Sequence, residues 1–415
     1  MNTLFHSTSK VKDARSRIGA KGASLHQMMK LGLAVPPWFA VSTNAVERIR
    51  AEGFSPEEKE LIRASLAKLH FPVSVRSSGT VSMPGMMDTQ LNVKSFEGVL
   101  EYILAVAESY NSTRAVLYRE TKGIGTVPMG IIIQQMVDGK LPVPGSGSGI
   151  MTTRNIDTGE DEIVVEFAPH QSGDGIVNGS VTPRDTEWVK KLQPTLYASL
   201  ALAATKLEMF YGDVQDVEFT VEKDKVWFLQ TRSAKRSPKA SVRIAYEMYS
   251  QGIINSTKAL ALADPHYLEN GERMTELKLE KGAKKIAKGL KVTGGKVVGQ
   301  MFSVEDWPEN PSEDVVLFAH QTTPSHLPAM LKSKGIVTMV GGQLSHAALV
   351  AREFKIPALV GIGSFNGEMH PSQIVGKVIS LDADSGFLWS GKAEIVESVT
   401  KDSYREKLLE VKNSV

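Results

Sequence analysis

The sequence predicts an α+β protein, on two observations. From Met1 to about Arg236, strands punctuated by glycine and proline alternate with helices, and from Lys296 to about Ala393, apolar strands alternate with short helices in the manner of a compact α/β module. At 415 residues the chain is long enough for two to three domains, and 42% apolar with 23% charged residues is an ordinary globular balance. The charge totals, 48 basic against 46 acidic, leave only +2, so no general field draws in nucleic acid or an anionic membrane. Cysteine is absent, which excludes disulfide scaffolds, cysteine-type zinc fingers, iron–sulfur clusters and thiol nucleophiles. No run reaches the roughly 18 apolar residues of a spanning helix, and MNTLFHSTSK has no signal-peptide core, so a soluble, cytoplasmic protein is expected.

The elements follow in order. Helices are expected over 23–31 and 55–69, the second opened by Ser55-Pro56-Glu57-Glu58 with an N-cap hydroxyl, a first-turn proline and early acids. Strands are expected over 71–76, 130–136 and 163–167, and one helix over 185–211. Residues 237–295 read as short helical pieces rich in lysine (Lys278, Lys281, Lys284, Lys285, Lys288), a solvated linker; without interleaved aromatics a nucleic-acid patch is the lesser alternative. Strands over 315–319, 335–340 and 377–381 build the third region, and 397–415 reads as one amphipathic helix. The domain division is therefore 1–236, a helical linker or hinge 237–295, a module 296–395 and a C-terminal helix 396–415.

The segment Gly341-Gly342-Gln343-Leu344-Ser345-His346-Ala347-Ala348-Leu349-Val350-Ala351-Arg352 carries the most chemistry. It leaves an apolar strand, turns on two glycines and opens a helix with Ser345 as N-cap, which sets His346 in the first turn among unpaired N–H groups. That setting favours a neutral, nucleophilic imidazole and suits a dianionic phosphoryl group. The plain alternative is a capping histidine without chemistry.

The first region holds further candidates. Ile18-Gly19-Ala20-Lys21-Gly22 is a glycine turn before a helix that can bring an ammonium to a phosphate, though such turns are more often plain turns. Arg76, in Ser74-Val75-Arg76-Ser77-Ser78-Gly79, ends a strand from which it can fork onto phosphate oxygens or make a surface ion pair. Asp216-Val217-Glu218-Phe219-Thr220-Val221 and Val226-Trp227-Phe228-Leu229-Gln230-Thr231-Arg232 alternate as a hairpin. A three-residue loop, 222–224, sets Asp216 opposite Gln230 with Glu218 diagonal to it on the face of Arg232; a two-residue loop parts Glu218 from Gln230. A metal–nucleotide site needs the odd loop, whereas a mixed-charge solvent face does not. Gly145-Ser146-Gly147-Ser148-Gly149 reads from composition as a flexible linker.

Taken together, GGQLSHAALVAREFKIPALVG, SMPGMMDT and DVEFTVEKDKVWFLQTRSAKR resemble the phosphohistidine, mobile-loop and nucleotide-strand motifs of the pyruvate phosphate dikinase and phosphoenolpyruvate synthase family. The resemblance implies an ATP-grasp-like nucleotide-binding domain followed by a swivelling phosphohistidine domain. By it His346 is the residue phosphorylated, supported by Ser345 and Arg352; Lys21, Arg76, Gly85, Met87, Thr153 and Arg232 face ATP or phosphate; and Glu218, Gln230 and Asp216 serve Mg²⁺. Ala20 departs from the family's Gly-Gly-Lys-Gly, and Ser172-Gly173-Asp174-Gly175 departs from the Gln and two adjacent acids that the family tends to show, so the resemblance does not carry metal binding over to that loop. Many members carry a regulatory threonine where this chain has Leu344, so that control is expected to be missing.

The resemblance covers nearly all of the chain but only the first half of a full-length dikinase, and implies that the barrel for pyruvate or phosphoenolpyruvate is not here. The function it implies is transfer from ATP to histidine with release of AMP, phosphate rather than water as second acceptor, and passage of the phosphoryl group to an acceptor or barrel subunit elsewhere. The alternative is a self-phosphorylating or ATP-sensing module without onward transfer. Neither a membrane nor a nucleic-acid partner is expected.

Overall fold

The computed structural model describes residues 3–9, 11–83, 85–177, 181–309, 311, 314–365 and 373–414. The chain divides into two compact units, Met1–Gly147 with Val217–Arg232, and Ser148–Asp216 with Ser233–Val415.

In the first unit, five strands run antiparallel in the order Leu4–His6, Trp38–Val41, Met129–Gln135, Val73–Gly79, Thr89–Val93. Val73, Val75, Ile131 and Ile133 are fully buried, as are Ile18, Leu25 and Met28 on the helix Ala14–Lys30 and Ile103 on Phe96–Glu108, so the helices Ala14–Lys30 and Phe96–Glu108 and the sheet share one core. The Ser55 signal holds: Ser55 and Glu58 form a reciprocal capping box ahead of Pro56–Leu66. Strands Gln215–Glu222 and Lys225–Ser233 are neighbours in a sheet.

In the second unit, an eight-stranded sheet runs Lys285–Lys288, Phe387–Ser390, Val378–Asp382, Lys296–Ser303, Val315–Ala319, Gly335–Thr338, Ala358–Val360, Leu290–Thr293. Its central pairs, from Lys296–Ser303 to Ala358–Val360, are parallel, and its flanks are antiparallel. Strand Glu272–Leu279 pairs with Ala393–Thr400 over eight residues as a separate ribbon. Helices Pro238–Ser250, Ser256–Leu262, Pro265–Asn270 and Ser403–Asn413 share a core that includes Val242, Met248, Ala259, Leu268, Leu408 and Val411.

Three expectations are corrected. The helix expected over 185–211 is two helices, Thr186–Leu192 and Pro194–Tyr211, because proline lacks an N–H and drives the preceding Gln193 out of helical geometry (φ −134°, ψ 56°). The tail begins as strand Ala393–Thr400, where Ile395, Val396, Val399 and Thr400 are β-branched, and turns helical only at Ser403. In 237–295 the helices end at Asn270, Lys278, Lys285 and Lys288 lie on strands, and Pro238–Ser250 is packed into the core rather than solvated.

Candidate functional site

Lys21 owes its place to Gly19. The helix Ala14–Lys30 is interrupted there (φ 74°, ψ 176°), and a Cβ at this position would overlap the Ser78 carbonyl oxygen. The Ser78 hydroxyl donates to Ile18 O at 2.7 Å and accepts from Gly22 N at 3.1 Å, which fastens the kink to strand Val73–Gly79. The resumed helix carries Lys21 beside Arg76, Glu218 and Arg232. Burial and then the positive charge of Arg76 push the ammonium down to about 7, with Arg232 adding and Glu218 opposing.

Arg76 ties the cluster together. Its Nη1 donates to Leu229 O at 3.0 Å and Gln134 Oε1 at 3.3 Å; its Nη2 donates to Gln230 Oε1 at 3.0 Å and Glu218 Oε2 at 3.2 Å. The hairpin loop differs from expectation. It is a two-residue turn of Lys223 and Asp224, both left-handed (φ 50° and 64°), held by Ser146 Oγ and Gly145 O. Glu218 and Gln230 nonetheless converge on one nitrogen of Arg76, so parity counted from the turn does not hold for these two side chains. Glu218 and Gln230 supply hard oxygens of the kind Mg²⁺ takes. Asp216 is buried and counts with the second unit. Among the described residues, no group of three or more acidic, histidine or cysteine side chains could by itself hold a metal.

The other expected nucleotide contacts are scattered. Gly85 is exposed with φ 72°, and Met87 is half-buried. Their loop is fastened by Arg114, which pairs with Asp88 and donates to Met86 O at 3.1 Å, and by Asp88 N donating to Ser109 Oγ at 3.0 Å. Pro84 of that loop lies outside the described residues. The supposed flexible stretch 145–149 runs into a buried strand, Gly147–Thr152. Thr153 is buried; its hydroxyl accepts from Gln215 N at 3.0 Å and lines a cavity of about 790 Å³ with Arg154, Tyr197 and Glu208.

In the second unit His346 opens the helix His346–Phe354 as expected, with Ser345 at the N-cap. The Ser345 hydroxyl makes no cap bond and is buried without a hydrogen-bond partner among the described residues. His346 is 7% exposed, and its Nδ1 lies 3.0 Å from Thr322 Oγ1. Arg352 donates to Gln343 O and approaches Asp157 at 3.6 Å, which braces the turn before the helix.

Sequence reasoning missed two residues. Thr322 follows strand Val315–Ala319 and reaches His346 only through the fold. Glu166, from strand Val164–Pro169, accepts from Gln343 N at 2.6 Å and from Leu344 N. A Cβ on Gly342 would come within 2.5–2.6 Å of its carboxylate oxygens. Burial raises this carboxyl to about 7, against the Gln343 N–H, Arg352 and the Leu344 N–H, with Asp216 pushing the same way as burial. A lone acid inside the apolar run Val164-Val165-Glu166-Phe167-Ala168 was its available signal. Leu344 is buried in the core that holds Ile150, Ile156 and Ala168.

Residues 49–199 and 191–252 match the family model of the pyruvate phosphate dikinase AMP/ATP-binding domain, and residues 311–386 match that of the mobile domain of PEP-utilising enzymes. The first match includes Arg76, Glu218, Gln230 and Arg232 of the α+β, ATP-grasp-like fold read from the sequence but begins after Lys21, and the second contains His346. The chain is 29% identical over 507 residues to pyruvate, phosphate dikinase 1, chloroplastic, of Arabidopsis thaliana, covering 92% of this chain and 51% of the relative. It is 28% identical over 515 residues to the pyruvate, phosphate dikinase of Rhizobium meliloti (92% and 57%), and 35% identical over 327 residues to that of Rickettsia felis (74% and 37%). The chain thus spans about half the length, or less, of these relatives. No helix among the described residues is long and apolar enough to cross a membrane. By its two domain matches the chain belongs to the pyruvate phosphate dikinase family.

Proposed function

We propose that this chain uses ATP to form a phosphohistidine at His346, releasing AMP, and passes the phosphoryl group to an acceptor bound elsewhere. The observation that carries the reading is the gathering of Lys21, Arg76 and Arg232 around Glu218 and Gln230, three cations and two oxygen donors brought together from distant parts of one unit. Cations and oxygen donors in that combination suit a metal-bound polyphosphate.

In the tautomer whose Nδ1–H donates to Thr322 Oγ1, Nε2 carries the lone pair and acts as the nucleophile. Nε2 attacks the β-phosphorus of ATP, the bond to the α–β bridging oxygen breaks, and AMP leaves. The pyrophosphorylated histidine then gives its terminal phosphoryl to inorganic phosphate, forming pyrophosphate, and phosphohistidine remains. Glu218 and Gln230 would hold Mg²⁺, which when bound would neutralise charge on the phosphates. The ribbon Glu272–Leu279 and Ala393–Thr400 forms the two chain connections between the packed helices and the eight-stranded sheet, which supports a hinge there for the swing that carries His346 from the nucleotide to the acceptor.

Incubation with ATP labelled at the β position tests this. Acid-labile label is expected on the native chain and not on His346→Ala, and its absence from both would overturn the reading. Release of AMP in repeated turnovers on addition of an acceptor separates onward transfer from a module that phosphorylates only itself.

A further inference from the structure

We propose that Arg76 occupies the oxygen donors of the metal seat, Glu218 Oε2 and Gln230 Oε1, until a nucleotide draws its guanidinium away, so that the divalent ion arrives with the triphosphate and not before it. The inference rests on the reading that nucleotide binds at this cluster.

The geometry is specific. One nitrogen, Nη2, sits between both donors, at 3.2 Å from the carboxylate and 3.0 Å from the amide oxygen. The other, Nη1, is held by Leu229 O at 3.0 Å and Gln134 Oε1 at 3.3 Å, and Gln134 in turn donates to Pro36 O at 3.3 Å, so the fork has a fixed direction. A divalent cation at this pair of oxygens would lie close to the guanidinium on the same atoms, and the two positive charges repel. Mg²⁺ dehydrates reluctantly and needs several well-placed oxygens, so one carboxylate and one amide, both already bound, offer it little.

Charge points the same way. Arg76 and Arg232 bring two positive charges and Lys21 part of a third, against the single carboxylate of Glu218. A divalent ion entering alone therefore meets a positive cluster. A triphosphate reverses the sign, gives Arg76 phosphate oxygens that match its planar fork, and releases Glu218 and Gln230 to the ion that came with it.

Mn²⁺ is the probe, titrated by electron paramagnetic resonance into the full chain with no nucleotide present. The native chain is expected to bind roughly tenfold more weakly than Arg76→Met, and the gain is expected to vanish in Arg76→Met/Glu218→Gln. Equal affinity of native and Arg76→Met protein overturns the proposal. A second measurement needs only the native side chains: ¹⁵N spectra of the arginine groups, with Arg76 assigned from Arg76→Lys. Metal-free ADP is expected to shift the Arg76 signal while Mg²⁺ alone leaves it in place; a shift with Mg²⁺ alone overturns the proposal. Neither experiment measures phosphoryl transfer. Failure of His346 to take label would therefore sink the proposed function without deciding these titrations, and the converse also holds.

Discussion

Lys21 predicts that nucleotide binding takes up a proton. Its ammonium is held down at about 7 by burial and by Arg76 and Arg232, so at pH 8 only about 0.1 of the molecules carry that proton in the free protein. A triphosphate beside it replaces lost hydration and outweighs the neighbouring cations, which returns the group to the ordinary lysine range of about 10. Uptake is then about 0.9 proton at pH 8, about 0.5 at pH 7 and about 0.1 at pH 6. Because the complex binds more protons than the free chain, affinity falls as pH rises, approaching tenfold per unit between pH 8 and pH 9. Calorimetry with a non-hydrolysable ATP analogue and Mg²⁺, run in buffers of different ionisation enthalpy, reads the proton count directly. Lys21→Met should reduce it to near zero while leaving Arg76, Glu218 and Gln230 in place. Uptake below about 0.3 proton at pH 8, or the same uptake in Lys21→Met, refutes the placement of polyphosphate at this lysine.

Three further outcomes follow from the geometry. Gly19→Ala combines left-handed strain of about 1–3 kcal/mol with overlap of the Ser78 carbonyl, so its urea midpoint should fall well below that of Gly53→Ala, which has a similar φ (80°) but open space around it. Glu166 is raised to about 7 in the fold against about 4.5 unfolded, so the folded chain holds the extra proton and stability falls as pH rises between those values, by roughly 3 kcal/mol. Glu166→Gln, which never ionises, should therefore match the native chain near pH 4.5 and exceed it at pH 8; equal pH profiles would refute the assignment. Thr322→Val removes the partner of His346 Nδ1, and the label should then divide between the two ring nitrogens in phosphorus–nitrogen correlation spectra, whereas an unchanged single isomer refutes the role of the hydroxyl.

What could be read from sequence was what is local. The N-cap position of Ser345 ahead of His346 and the capping box at Ser55 are each fixed within about one turn of chain, where sterics and unpaired N–H groups leave few choices. Strand Ala393–Thr400 was misread because its partner, Glu272–Leu279, lies far upstream, and the pairing outweighs a charge pattern that suits a helix face. Glu166 and Thr322 escaped for the same reason, since each matters only through a neighbour supplied by tertiary folding.

The hairpin at Lys223-Asp224 makes the point in the opposite direction. Parity arguments concern where Cβ atoms leave a strand, and on that basis a two-residue turn should have separated Glu218 from Gln230. Yet both reach Arg76, at 3.2 Å and 3.0 Å, because the guanidinium comes from a strand of the five-stranded sheet and is aimed by Leu229 O and Gln134. Parity counted from the turn alone therefore does not decide which side chains meet at Arg76.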